Sequence, residues 1–232
     1  MYFQHSPQIW SAHPELAAGA VYATGITPEA DVAAAVDRFQ AVARERLAGG
    51  SEAELPEIQA WRRTFSAMGL KPTQYRCASE ALLRRFRKDG VLPRIHPVID
   101  LCNAISLAFA VPVAVLDVAK ITGSLEVRPA RGDEVYLTFS GQEENPEPGE
   151  VIFADAAGRA HARRWTNRQS GHSAVRDSTA EIFVIAEAMH ESAQEDVAKL
   201  TATVADELDA LWHAAPRTAI LGPSSPRFDF AS

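Results

Sequence analysis

The chain has only two cysteines, Cys77 and Cys102, and they do not form a C-x-x-C pair. That excludes a disulfide framework and a thiolate zinc cluster, and it points to a reducing, cytoplasmic setting. No run of about eighteen apolar residues occurs, so no membrane-spanning helix and no membrane partner is expected. A basic stretch followed by a short apolar core is also missing, so secretion is not expected. The seven histidines are scattered without H-x-x-x-H or H-E-x-x-H spacing, and no metal site is expected from them. G-x-G-x-x-G, Walker A and G-x-S-x-G motifs are absent, as is any internal repeat, which removes the common nucleotide-binding and hydrolase signatures. No cofactor is expected. Met1-Tyr2-Phe3-Gln4 reads as the scar of a cleavable tag and is set aside.

The charge is unevenly spread. The formal net charge is −7, yet the segment from Arg62 to Arg94 carries nine basic residues and two acids, leaving −14 for the rest. Arg76, Arg84, Arg85, Arg87 and Lys88 lie in this segment. Arg159, Arg163, Arg164 and Arg168 make a second cluster with no acid between them. Local field matters more than the sum, so two such patches form either a phosphate footprint or solvated helix faces.

The stretch from His96 to Asp117, HPVIDLCNAISLAFAVPVAVLD, organises the chain. Pro97 suits the first turn of a helix. Val98, Leu101, Cys102, Ile105 and Phe109 recur at helical spacing and make a core face. Asp100, Asn103 and Ser106 recur every third residue as a polar stripe, and Pro112 ends the helix before a strand at 113–118. The stripe is either one wall of a pocket or a set of satisfied core polar groups.

Elsewhere, Thr27-Pro28-Glu29 reads as a helix start, and Gly49-Gly50 as its end. Further helices are expected after Pro56, over 79–88, and over about 193–213. Strands are expected at 124–128, 134–140, 150–154 and 160–165, with a loop over 167–177 and a short buried strand or helix start at 182–185. The tail after Pro216 reads as a surface strap pinned by Phe228 and Phe230. Helices, then strands, then a last helix give an α+β class, here a mixed sheet flanked by helices. The organisation expected is one domain over 1–232, with a core at about 12–213 and a strap over 214–232.

The segment HPVIDLCNAISLAFAVPVAVLDVAKITGSLEVRPARGDE, continued by EVIFADAAGRAHARRW and SAVRDSTAEIFVIAEA, resembles the B-three/B-four domain of the phenylalanyl-tRNA synthetase beta chain. The chain is closer still to free-standing members of that domain family, through Tyr75-Arg76, Ser79 to Arg85, Val98-Ile99-Asp100 with Asn103, Ser106-Leu107, Pro112 with Asp117, and Arg164-Trp165 with Arg168. In the synthetase this α+β domain hydrolyses tyrosine wrongly esterified to the phenylalanine tRNA. The resemblance therefore implies a free-standing protein that edits a mischarged aminoacyl-tRNA in trans. The family's Asp-x-Thr-Asn motif keeps its asparagine here as Asn103, while its threonine is Cys102. The family's histidine is Ala114, its paired glycines fall near Gln169 and Ser170, and its late-strand glutamate falls near Ile185, with Glu187 two residues on.

Such an ester is already activated, so a positioned water, an oxyanion donor and a grip on the terminal adenosine suffice for hydrolysis. Asn103 and Ser106 are the candidates for donor and water. Arg76, Arg84, Arg85, Arg164 and Arg168 are candidates for phosphate or carbonyl contacts, Trp165 for stacking on adenine, and Gln169 and Ser170 for backbone approach to the substrate. Arg168 is otherwise a structural partner of Asp100 or Asp177, Glu80 a partner of Arg76 or Arg84, and Cys102 a buried small hydrophobe. Two alternatives stand beside the deacylase: a non-catalytic tRNA- or RNA-binding module, and a binder or hydrolase of a small amino-acid-like metabolite.

Overall fold

The computed structural model describes residues 1–230. The chain starts with β1 (Tyr2–His5), α1 (Pro7–Ala12) and β2 (Ala17–Thr24). Four helices follow: α2 (Ala33–Ala48), α3 (Pro56–Ala67), α4 (Ala78–Asp89) and α5 (Pro97–Phe109). Then come β3 (Val113–Asp117), β4 (Ser124–Pro129), β5 (Val135–Leu137), β6 (Glu143–Glu144), β7 (Val151–Asp155), β8 (Arg159–Arg163), β9 (Arg168–Gln169) and β10 (Glu181–Ala188). The long α6 (Ala193–Trp212) and two short strands, β11 (Arg217–Leu221) and β12 (Arg227–Asp229), complete the fold. The α+β class read from the sequence holds, with two sheets rather than one.

The smaller sheet is antiparallel, in the order β11-β2-β10-β3. Its centre is β10, whose eight residues pair with β2 on one side and β3 on the other. A strand flanked on both edges and covered on both faces must be apolar throughout, and Ile182 to Ala186 are all buried. That burial explains why a four-residue apolar core at 182–185 extends to a full strand. Helix α6 lies on β2 at Gly19, where an added Cβ would sit 2.0 Å from Thr201 Oγ1 and 2.9 Å from Val197 Cγ1. Only glycine permits so close an approach.

The larger sheet runs β12-β1-β4-β7-β8-β5-β6, with β9 also paired to β8. Strand β1 pairs parallel with β4 and antiparallel with β12. Phe3 is fully buried, stacked on Phe153 at 6.2 Å and tilted against Phe183 at 5.0 Å. The opening residues are therefore an integral strand, and reading them as a tag scar is corrected. The tail is likewise two strands, one in each sheet, with Phe228 and Phe230 buried against Phe183.

Three of the boundaries that differ from the sequence reading have a clear local reason. Helix α2 begins at Ala33 rather than Thr27, because Asp31 Oδ1 accepts from Ala33 N at 3.0 Å while the Thr27 carbonyl accepts from the Trp212 indole at 3.0 Å. Helix α5 ends two residues before Pro112, at a left-handed cap on Ala110 (φ 57°). Strand β8 stops at Arg163, because Arg164 and Trp165 both take left-handed backbone, φ 48° and 58°.

Candidate functional site

Two consecutive non-glycine residues in the left-handed region are costly and persist only when their surroundings hold them. Here Trp165 N donates to Val151 O at 2.7 Å, Arg164 N donates to Glu150 Oε1 at 2.9 Å, and the Arg164 guanidinium stands 4.8 Å from the Tyr75 ring centre. The turn places residues 165–169 along one wall of a cleft. The opposite wall is the β3–β10 ladder, and Phe153, Ala162 and Ala78 close the rest.

Glu187 is the buried charge in this cleft, 2% exposed. Its Oε1 is engaged twice: His5 Nε2 lies 2.6 Å away, and the Trp165 indole N–H donates to it at 2.8 Å. Both contacts fall on one oxygen, and no hydrogen bond to Oε2 is seen among the described residues. Trp61 supports the arrangement from behind, donating to the Glu187 carbonyl at 3.3 Å and meeting Trp165 edge-on at 5.2 Å. Ala114 and Ile185 are paired directly across β3 and β10 and make one apolar patch. Glu187 shares the face of Ile185, because side chains alternate along a strand.

Of the residues singled out from the sequence, Trp165, Arg168 and Gln169 line this cleft. Arg168 is exposed, paired with Glu144 at 3.2 Å rather than with Asp100 or Asp177, and lies 5.3 Å from the Tyr136 ring centre. Gln169 Nε2 donates to Val115 O at 2.8 Å. Ser170 is fully buried, its hydroxyl donating to Leu137 O at 2.9 Å. Trp165 has no exposed surface and is packed by His13 and Trp61. Without an open ring face it does not serve as a platform for adenine, and its indole N–H instead orients Glu187.

Asn103 and Ser106 are not brought to the cleft. Asn103 lines a separate cavity with Asp100, Gln40, Asp37 and Arg94, and the two cavities share no residue. Ser106 has no exposed surface, and its hydroxyl donates to Val111 O at 2.6 Å, satisfying the backbone just past the helix. Ser106 is therefore a satisfied core group, not a catalytic hydroxyl. Cys102 is buried, and burial pushes its thiol up to about 12, which removes it as a nucleophile at neutral pH.

The basic segment is largely tied to buried acids. Glu80, fully buried, accepts from Arg62 at 2.6 and 3.1 Å and lies 3.3 Å from Arg76. Glu52, 1% exposed, holds Arg84 at 3.2 Å and Arg87 at 3.1 Å. Arg85 lies 3.6 Å from the exposed Asp89. In the second cluster Arg163 is buried between Glu150 and Glu144.

Two polar residues lining the cleft were not singled out from the sequence. Thr166 Oγ1 is buried without a hydrogen-bond partner, and Asn167 Nδ2 donates to Arg76 O at 2.7 Å. No periodicity marks them, because they sit in a turn whose path is set by the left-handed residues before it.

Among the described residues no helix is long and apolar enough to cross a membrane. Sequence comparison finds the chain similar to part of one subunit of a tRNA ligase. It is 36% identical over 76 residues to the phenylalanine–tRNA ligase beta subunit of Cereibacter sphaeroides, covering 33% of this chain and 9% of that protein. It is 32% identical over 101 residues to the corresponding subunit of Shewanella oneidensis, covering 43% and 12%. The chain thus spans about a tenth of the length of these relatives. Among solved structures, an N-terminal fragment of the phenylalanyl-tRNA synthetase beta subunit from Pyrococcus horikoshii aligns over 93% of this chain and 49% of that one, at 9% identity and a TM-score of 0.47. Residues 60–204 match the B3/4 domain, well over half of the sequence, and the chain belongs to the B3/4 domain family.

Proposed function

We propose that this protein binds the aminoacylated 3′ end of a tRNA and hydrolyses the ester of a mischarged amino acid in trans. The observation that carries this reading is the Glu187 carboxylate, buried beside apolar walls with one oxygen fixed by His5 and Trp165 and no hydrogen bond to the other among the described residues. An amino acid esterified to tRNA has no carboxylate of its own but keeps a cationic ammonium group. A buried, oriented carboxylate is the complement of that ammonium, and Ala114, Ile185 and Phe153 suit an apolar side chain. Water attacks the ester carbonyl, and the tRNA hydroxyl leaves. Arg168, at the exposed rim, meets the terminal phosphates. The setting is the reducing cytoplasm, where two buried free thiols persist.

A second reading, a tRNA-binding module without turnover, rests on one observation. The cleft amides are already committed, Asn167 to Arg76 O and Gln169 to Val115 O, which leaves few free donors for an oxyanion. Deacylation of tRNAs charged with each of the twenty amino acids separates the two. Loss of one or two esters above the uncatalysed rate establishes the enzyme and names its substrate. Salt-sensitive tRNA binding without any ester loss establishes the module. Neither binding nor ester loss favours a site for a free amino-acid-like metabolite.

A further inference from the structure

Away from the cleft, three side chains from separate parts of the chain converge where α3, the end of β10 and the start of α6 meet. Glu57 stands in the first turn of α3 and is buried, 8% exposed. Its Oε1 accepts from Arg46 Nη2 at 2.6 Å, while its Oε2 is buried with no hydrogen-bond partner. His190 follows β10 and is 6% exposed. Its Nε2 lies 2.8 Å from Asp196 Oδ2, and its Nδ1 is buried with no partner. Asp196, in the first turn of α6, also accepts from Ser192 Oγ at 2.7 Å. Each of the three offers a donor atom within 4.8 Å of the other two.

A carboxylate oxygen and an imidazole nitrogen buried without partners, contributed by two segments 133 residues apart in the sequence, are expensive to leave empty. We propose that Glu57, His190 and Asp196 form a binding site for a divalent transition-metal ion of the zinc class. One imidazole and two carboxylates suit zinc or its neighbours, whereas magnesium and calcium take oxygen ligands alone. Zinc ligands at about 2.1 Å from the ion lie roughly 3.4 Å from one another at a tetrahedral angle. The three donors lie within 4.8 Å of one another, and binding requires the side chains, including the hydrogen-bonded His190–Asp196 pair at 2.8 Å, to readjust to that separation.

Charge is compatible with the assignment. The two carboxylates outweigh the Arg46 guanidinium, which is also bonded to Ala108 O at 2.9 Å and occupies only the Oε1 side of Glu57. The side chain of Asp196 is 30% exposed and provides the way in. Three protein ligands leave a fourth position to water. The ion would tie α3, which carries Trp61, to the end of the strand that carries Glu187.

The test uses the full chain, stripped with a chelator and titrated with zinc chloride alone, followed by calorimetry and thermal melting. One equivalent should bind and raise the melting temperature by mass action. His190→Gln and Asp196→Asn should each lose the bound equivalent and the zinc-dependent shift while melting as the stripped parent does. Should His190→Gln fail to fold, the partly exposed Asp196→Asn carries the test alone. Cobalt in place of zinc adds a visible absorption band that reports the ligand set. No zinc bound by the parent, or equal binding in the variants, overturns the assignment and leaves an ordered water as the occupant. The titration needs no tRNA, so its failure and failure of the deacylase reading are separate results.

Discussion

His5 Nε2 lies 2.6 Å from Glu187 Oε1 and joins two residues 182 positions apart. The N-terminal strand thereby fixes the orientation of the carboxylate in the cleft. Glu187→Gln keeps the size of the side chain and removes its charge. It should slow ester hydrolysis by about 100-fold or more, the scale of losing one oriented electrostatic group, while tRNA affinity stays close to the parent. Single-turnover deacylation beside filter binding reads both, and an unchanged rate would move the chemistry out of this cleft.

Ser106→Ala addresses the polar stripe of α5. Its hydroxyl donates to Val111 O inside the core, so the substitution leaves that carbonyl unpaired and should cost about 1–3 kcal/mol of stability. Activity per folded molecule should not change. Urea unfolding with an activity assay below the transition checks this, and loss of turnover in a fully folded variant would return Ser106 to the reaction.

Asp155 governs part of the acid response. Burial pushes its carboxyl up, but the His161 imidazole and the backbone N–H groups of Arg159 and Thr122 more than offset this and hold it at about 2, below the ordinary 3.8. A carboxylate depressed in the folded state contributes stability above its unfolded value and loses it as pH falls from 3.8 toward 2. The contribution at pH 7 is about 2 kcal/mol. Asp155→Asn should lower the neutral-pH stability by roughly that amount and flatten the acid limb of the stability curve. Equal loss at pH 7 and pH 2 would assign the effect to the turn's geometry rather than to charge.

The arginines of α4 divide into two kinds. Arg84 and Arg87 hold the buried Glu52, so replacing both with alanine strands a buried charge and should destabilise by at least about 1 kcal/mol. Arg85, whose partner Asp89 is itself exposed, and the exposed Lys88 can turn to phosphate. Reversing both to glutamate should leave stability near the parent and weaken tRNA binding, with the salt slope falling by about one for each phosphate no longer neutralised. Affinity unaffected at low salt would show this helix to be a solvated face.

Much of the architecture was legible because it follows from local rules. Helix α5 begins at Pro97, α4 ends at Gly90 with φ 75°, and the strands from β4 to β8 fall close to their apolar runs. The misread segments share one cause. Tyr2 to His5 has no long pattern of its own and becomes a strand only because β4 and β12 flank it. The start of α2 moved because Trp212, far along the chain, occupies the carbonyl of Thr27.

The candidate site divides in the same way. Its residue types and family likeness were present in the sequence, and so were Arg168, Gln169 and the position of Glu187. Their grouping was not. Helical spacing put Asn103 beside Ser106, but the packing of α5 sends one to a different cavity and closes the other in the core. Metal-ligand spacing was equally invisible, since Glu57, His190 and Asp196 approach only when α3 packs against the end of β10.

The sequence by itself determined the class of fold, the family and the chemical vocabulary of the protein, because periodicity, turn residues and motif identity are local and survive without coordinates. Tertiary structure alone decided which acid is the buried one at the cleft, which arginines are already neutralised and which hydroxyls are spent on the backbone. Those outcomes depend on desolvation and on partners distant in the chain, and both exist only once the two sheets and their helices have closed around them.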